Sequence, residues 1–263
     1  MKQFSEAGFV TAGHLGDSPE ILPFAMRMDG LKTSPFDHDI SPYFYHGENM
    51  KNCNVGLHRS QVVLKFVQQF LKAYDDLPLF YYSHSCALSH NEWASARPFD
   101  NDLSRFVHNF YKDPETNDAI LILLSDHGQR YGRDGLGRNP TVRIEERSPT
   151  FVIMFPEWFK AKYPRLVAQV RSNANVTIAP YDIHATLQQL IAMTNKNMAF
   201  PKTLGTSIFT PLSSERSCKQ ANIPEHFCIC TKWVTTSITC SVVQLLLRFV
   251  KTTNEEVENT NSS

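Results

Sequence analysis

The 263-residue chain has no run of about 18 apolar residues, so nothing in it reads as a transmembrane helix. It has no excess charge of either sign, because 26 basic residues balance 26 acidic ones. That argues against nucleic acid as a partner, which calls for a basic excess. Met1 to Asp17 lack the apolar core of a signal peptide. Taken literally, that places the chain in the cytosol. No internal repeat is visible, and apolar content is ordinary for a globular protein. The length suffices for one large α/β domain with a sizeable core.

The cysteines point to a different compartment. There are six: Cys53, Cys86, Cys218, Cys228, Cys230 and Cys240. Three crowd into a polar, proline-containing stretch from Cys218 to Cys230, the pattern of a disulfide staple under a loop. Free thiols are the alternative, above all for Cys86 and Cys240. Cys228-Ile229-Cys230 is too closely spaced for an ordinary zinc knuckle. Asn175-Val176-Thr177 and Asn261-Ser262-Ser263 have the form of glycosylation sequons, which are short and frequent by chance.

Apolar patterning predicts alternating strands and helices. Phe9 to Ala12 reads as a short strand without a preceding partner, and Asp17 to Tyr45 as irregular loop. Val62, Val63, Phe66, Val67, Phe70 and Leu71 recur at helical spacing between Arg59 and Tyr74. Leu77 to Tyr82, Ala119 to Leu124 and Thr150 to Phe155 read as buried strands. Asp100 to Tyr111, Glu157 to Ala168 and Asp182 to Met193 read as helices, with Asp182 as N-cap of the last. Asp100 and Asp102 suit the positive end of their own helix. Tyr131 to Arg147 reads as a loop rich in glycine and arginine. This alternation predicts an α/β fold with a mostly parallel sheet. Val242 to Val250 suits a short amphipathic helix, and the polar Lys251 to Ser263 a disordered tail.

Ser125-Asp126-His127-Gly128 carries the chemistry. It directly follows the apolar run Ala119 to Leu124, where open α/β sheets place their ligand sites. A carboxylate and an imidazole there can hold a divalent cation together, and Gly128 permits the turn that presents them. A surface turn that happens to read Asp-His-Gly is the alternative. Arg130 and Arg133 follow, and a guanidinium suits phosphate or sulfate. Arg130 can equally pair with Glu145 or Glu146. His84 and His90 lie just beyond the second buried strand. Trp158 and Phe159 read as core or rim packing, and His184 and His226 as structural.

Several blocks stand in one order: Ser89-His90; Ser125 to Gly132; Glu145-Glu146-Arg147-Ser148-Pro149; Phe155 to Phe159 with Tyr163-Pro164; Tyr181 to Leu187; Gly205 to Phe209; and Arg216 to Cys230. That order resembles the domain-of-unknown-function 229 family of nematodes and insects, a sulfatase-like branch of the alkaline phosphatase superfamily. The resemblance runs from about Phe9 to Cys230.

It implies a partial alkaline-phosphatase or sulfatase-like three-layer sandwich over 1–230, with a cysteine-containing tail and an extension over 231–263. It implies a metal-dependent phosphate- or sulfate-ester hydrolase acting on an anionic ester. Asp126 and His127 match the family's metal pair, for zinc, manganese or calcium. His90 matches a histidine that contacts substrate or leaving group. The family's location is extracellular or in the secretory pathway. The superfamily's nucleophile and a further acidic ligand lie in an amino-terminal half, and this chain begins after the equivalent point. Asn91 stands where many relatives carry a carboxylate, which argues against a second metal. The expectation is therefore a chain that hydrolyses little by itself. The alternative is a non-catalytic extracellular binding module with a relic metal pair.

Overall fold

Residues Val10–His14 form β1, the middle strand of a parallel sheet. The computed structural model describes residues 1–16, 33–45, 53–54, 57–85, 97–114, 116–128, 140–195, 197–198 and 200–229. They fall in two compact units, Met1–Trp158 and Phe159–Ser263. Cys86, Cys230, Cys240 and the extension from 231 onward lie outside the described residues.

In the first unit, β1 has β2 (His38–Asp39) on one side and β5 (Leu79–Ser83) on the other, both parallel to it. The register pairs Val10 with Leu79 and His14 with Ser83. Parallel neighbours need a long crossover, and part of the one between β1 and β5 is helix α3 (Arg59–Ala73). The run Phe9 to Ala12 thus belongs to a central strand, and Thr11 to His14 are buried. A short helix α1 (Lys2–Glu6) precedes it, and Phe4 stacks on Phe80 with ring centroids 3.7 Å apart. Gly13 is required by close approach. Its φ is +148°, and a Cβ there would lie 1.7 Å from the Tyr82 carbonyl oxygen.

Helix α3 matches the predicted stripe: Val63, Val67 and Phe70 are buried, and Phe66 and Phe70 face Tyr81 of β5. His58 caps it, with Nδ1 accepting from Ser60 N and its own N–H donating to Gln61. Helix α4 (Arg97–Phe110) begins earlier than the expected Asp100. Asp102 serves a different helix from the expected one. It accepts from Ser60 Oγ at 2.8 Å and Gln61 Nε2 at 3.3 Å, at the positive end of α3. Between β1 and α3 lie α2 (Ser41–Tyr45) and an antiparallel pair of two-residue strands, β3 (Cys53–Asn54) and β4 (Leu57–His58), within and after the expected irregular loop.

The strands β6 (Leu121–Leu124) and β7 (Phe151–Met154) form where expected but pair antiparallel. Their residues are half-buried, and Leu124 is 49% exposed. An apolar run signals readiness for burial on both faces. Among the described residues β6 has a hydrogen-bonded neighbour on one edge only. Helix α5 (Pro140–Glu146) lies within the stretch expected to be loop.

From Glu157 onward the regular structure of the described residues is helical. The expected helix from Glu157 to Ala168 is two, α6 (Glu157–Lys162) and α7 (Pro164–Ser172). Pro164 explains the break, because proline disfavours helical geometry in the residue before it and suits the first helical position. Phe159 is core, against Tyr163 and Phe209, whereas Trp158 is exposed and donates its indole N–H to the Asp118 carbonyl. Helix α8 (Pro180–Thr194) begins two residues before Asp182, so Ala179 is the N-cap and Asp182 stands at the third helical position. Asp182 accepts from four donors: Ala179 N (2.8 Å), Thr206 N (2.7 Å), Arg216 Nη1 (2.8 Å) and Arg216 Nη2 (3.0 Å). A disulfide joins Cys218 to Cys228, as the cysteine crowding suggested.

Removing one partner of a buried ion pair leaves the other charge uncompensated, at about 3–5 kcal/mol. We expect Asp182→Ala and Arg216→Ala each to lose that much in denaturant unfolding, and the double variant to lose far less than the sum. Additive losses would show the pair to be uncoupled.

Burial pushes the Tyr111 phenol up to about 12, against a backbone hydrogen bond at Leu121, with a smaller rise from Glu157. The folded state therefore favours the neutral phenol. Its contribution is fully present below the ordinary tyrosine range near pH 10, and is lost as pH rises from there through about 12. In a phenolate absorbance titration, Tyr111→Phe should remove a late-titrating tyrosine and flatten the alkaline loss of stability.

Candidate metal-binding turn

The turn after β6 is held at three points. Ser125 N donates to the Thr150 carbonyl at 2.9 Å, and Thr150 N donates to Ser125 Oγ at 2.8 Å. Gly128 N donates to the Glu146 carbonyl at 2.9 Å. The β6–β7 ladder thus runs one residue beyond the strands, and the chain is then tied to the end of α5. Gly128 meets a close approach, not only the turn expected of it. A Cβ at this position would lie 2.1 Å from the Glu145 carbonyl oxygen and 3.1 Å from Glu146 Cα. Residues 125–128 and 145–146, from two of the blocks read in series, are here one piece of structure.

Between these ties Asp126 and His127 are accessible, with side chains 62% and 31% exposed. Asp126 Oδ1 accepts from His127 N at 3.0 Å. His127 Nδ1 lies 2.6 Å from the Gly128 carbonyl oxygen, which can only accept, so Nδ1 carries the proton. In the neutral ring the lone pair is then on Nε2. That atom lies 3.4 Å from Asp126 Oδ2.

In the neutral ring both atoms are acceptors on an accessible turn, open to water or to a metal ion. Donors bound at about 2.0–2.1 Å to one tetrahedral ion stand about 3.4 Å apart. A backbone carbonyl on the far ring nitrogen is also the usual support of a metal-bound histidine. The oxygen and nitrogen donors present therefore fit a divalent cation as half of a ligand set. Among the described residues no group of three or more such donors comes together.

The other expected site residues are placed differently. His90 and Arg130 lie outside the described residues. His84 follows β5, half-buried, and its N–H donates to the His14 carbonyl at 3.3 Å. His184 and His226 are exposed, on α8 and on the 3₁₀ turn Glu225–Phe227. Nothing in the spacing singles out His14, yet it is fully buried at the carboxyl end of the parallel sheet. Its ring lies beside Phe44 and within 3.3 Å of Ser83 Oγ. The available signal was position: Gly13-His14 ends the first strand run as Asp126-His127 follows a later one.

Gly128→Ala tests the turn. The added methyl must displace the 145–146 backbone, so we expect thermal unfolding to fall by several degrees. Any cation affinity of the Asp126–His127 pair should fall with it, and an unchanged melting curve would mean that the close approach is absent in solution.

The chain matches the family model described as "Protein of unknown function (DUF229)" over residues 1–263, and it belongs to that family. No curated protein and no solved structure matches it.

Proposed function

We propose that this DUF229 family member is a metal-dependent phosphate- or sulfate-ester hydrolase-like protein whose Asp126 and His127 hold a divalent cation. One observation carries the reading: Nε2 and Oδ2 converge at 3.4 Å from a turn that fixes the ring tautomer. Zinc, manganese and calcium are the candidate ions. When bound, the cation would polarise an oxygen of an anionic ester.

The chain's own residues do the rest. The Gly128 carbonyl keeps the proton on Nδ1, and Asp126 supplies the negative charge. Ser125 Oγ is engaged by Thr150 N and supports the turn. His90 is assigned to substrate or leaving group by resemblance, and Arg130 to the ester's anionic oxygens because a guanidinium suits phosphate or sulfate. The sulfatase-like three-layer sandwich is part of the same proposal. So is an extracellular or secretory location, which the Cys218–Cys228 disulfide supports, because such bonds persist in oxidising compartments.

A non-catalytic extracellular binding module is the second reading. It is favoured by the pair's being joined by no third donor among the described residues. No helix of those residues is long and apolar enough to cross a membrane, so neither reading draws on a span there.

Two donors bind weakly where three or four are usual. Titration calorimetry of the full chain with manganese, zinc and calcium should show one weak site, lost in Asp126→Ala and in His127→Ala. Heat that persists in both variants would remove the assignment. Turnover of an aryl phosphate or sulfate that Asp126→Ala abolishes would favour the hydrolase. Site-specific binding without turnover would favour the binding module.

A further inference from the structure

Asn173 and Asn175 stand two residues apart, and the fold uses them in opposite ways. Asn173 is 5% exposed and fully engaged. Its Nδ2 donates to the carbonyls of Ile208 (2.9 Å) and Thr210 (2.8 Å). Its Oδ1 accepts from Gln169 Nε2 (3.1 Å) and Leu212 N (3.2 Å). Asn175 ends the same 3₁₀ turn, Asn173–Asn175, and is exposed. No described residue holds its amide.

The next two residues complete a pattern. Val176 is extended, with φ −103° and ψ 145°, and only 8% exposed. Asn175 before it is exposed and Thr177 after it is half-buried. The Thr177 backbone is anchored from within, because its carbonyl accepts from Arg216 Nη1 at 3.0 Å. Its hydroxyl is not engaged by a described residue. An Asn-x-Thr with an exposed asparagine and a half-buried threonine is thus held by Val176 and the Thr177 carbonyl, and neither polar side chain bonds to a described residue. The second observation is the Cys218–Cys228 disulfide in the same unit. Disulfides persist in the compartments through which N-glycosylated chains pass.

We propose that Asn175 is the acceptor of an N-linked oligosaccharide. The donor is a lipid-diphosphate-linked oligosaccharide, and the catalyst a membrane oligosaccharyltransferase. Asn175 Nδ2 attacks the anomeric carbon, and a C–N bond forms. The C–O bond to the diphosphate breaks, and its electron pair leaves with the lipid diphosphate. The amide proton passes to a base of the transferase, and nothing is oxidised or reduced. Thr177 is the recognition residue. The assignment does not rest on the metal pair, so either can fail without the other.

The test uses the full chain behind a cleavable secretion leader in eukaryotic cells. Leader-cleaved protein, secreted or retained, is digested with peptide N-glycosidase. The expected result is a single-glycan mobility shift, with Asn175 converted to Asp in the released peptide. The shift should vanish in Asn175→Gln and Thr177→Ala, and persist in Thr177→Ser and Asn261→Gln. Asn175→Gln should melt like the unglycosylated wild type, because it removes no hydrogen bond to a described residue. A leader-cleaved chain that shows no shift, or a shift that survives Asn175→Gln, overturns the assignment.

Discussion

Asp182 is a fully buried carboxylate, and the second unit is arranged around the need to satisfy it. Taking a charge out of water is costly unless a counter-charge and hydrogen bonds replace the solvent. Arg216 supplies the counter-charge through both terminal nitrogens, while Ala179 N and Thr206 N fill the remaining positions. These partners tie the start of α8 to the 205–209 loop and to the segment just before the disulfide. Gly205 is compelled by the same packing, because a Cβ there would lie 2.1 Å from the Tyr181 carbonyl. Thr186 extends the tie, accepting from Ile208 N at 3.0 Å and donating to the Asp182 carbonyl at 2.7 Å. The described residues after Thr194 have little regular structure and are thereby held by side chains.

The first unit follows another logic. Its parallel strands place His14, Asp39 and Ser83 at one end of the sheet, and backbone contact between β1 and β5 is so close that only glycine fits at position 13. The 125–128 turn instead leaves a short antiparallel ladder and is tied to the end of α5. Its geometry comes from local backbone ties, which is why a pair as exposed as Asp126 and His127 can still have a defined orientation.

Much of this was legible in the residues. The apolar spacing of Val63, Val67 and Phe70 specified a helix and its buried face. The crowding of Cys218, Cys228 and Cys230 suggested a staple, and the fold chose Cys218 and Cys228 for it. Asp126-His127-Gly128 after an apolar run marked a strand end. Illegible features involved partners distant in sequence. Asp182 reads as a cap because Asp often caps helices, whereas Arg216, 34 residues away, makes it a buried ion-pair member. Asp102 reads as serving its own helix, whereas Ser60, 42 residues away, recruits it to another. The ladder of β6 and β7 reads as parallel-sheet strands, because an apolar run records the wish for burial and not the direction of its neighbour.

By itself, the sequence determined the α/β alternation, the principal helices and strands, the staple and the pairing of a carboxylate with an imidazole. Periodicity and adjacency are properties of neighbouring residues, so they survive without a fold. Only the tertiary structure decided that His14 is buried, that Gly128 faces the end of α5, that Asp182 is neutralised by Arg216, and that Asn173 is structural while Asn175 is not. Each depends on which distant backbone or charge arrives beside a residue, and that is settled when the chain packs.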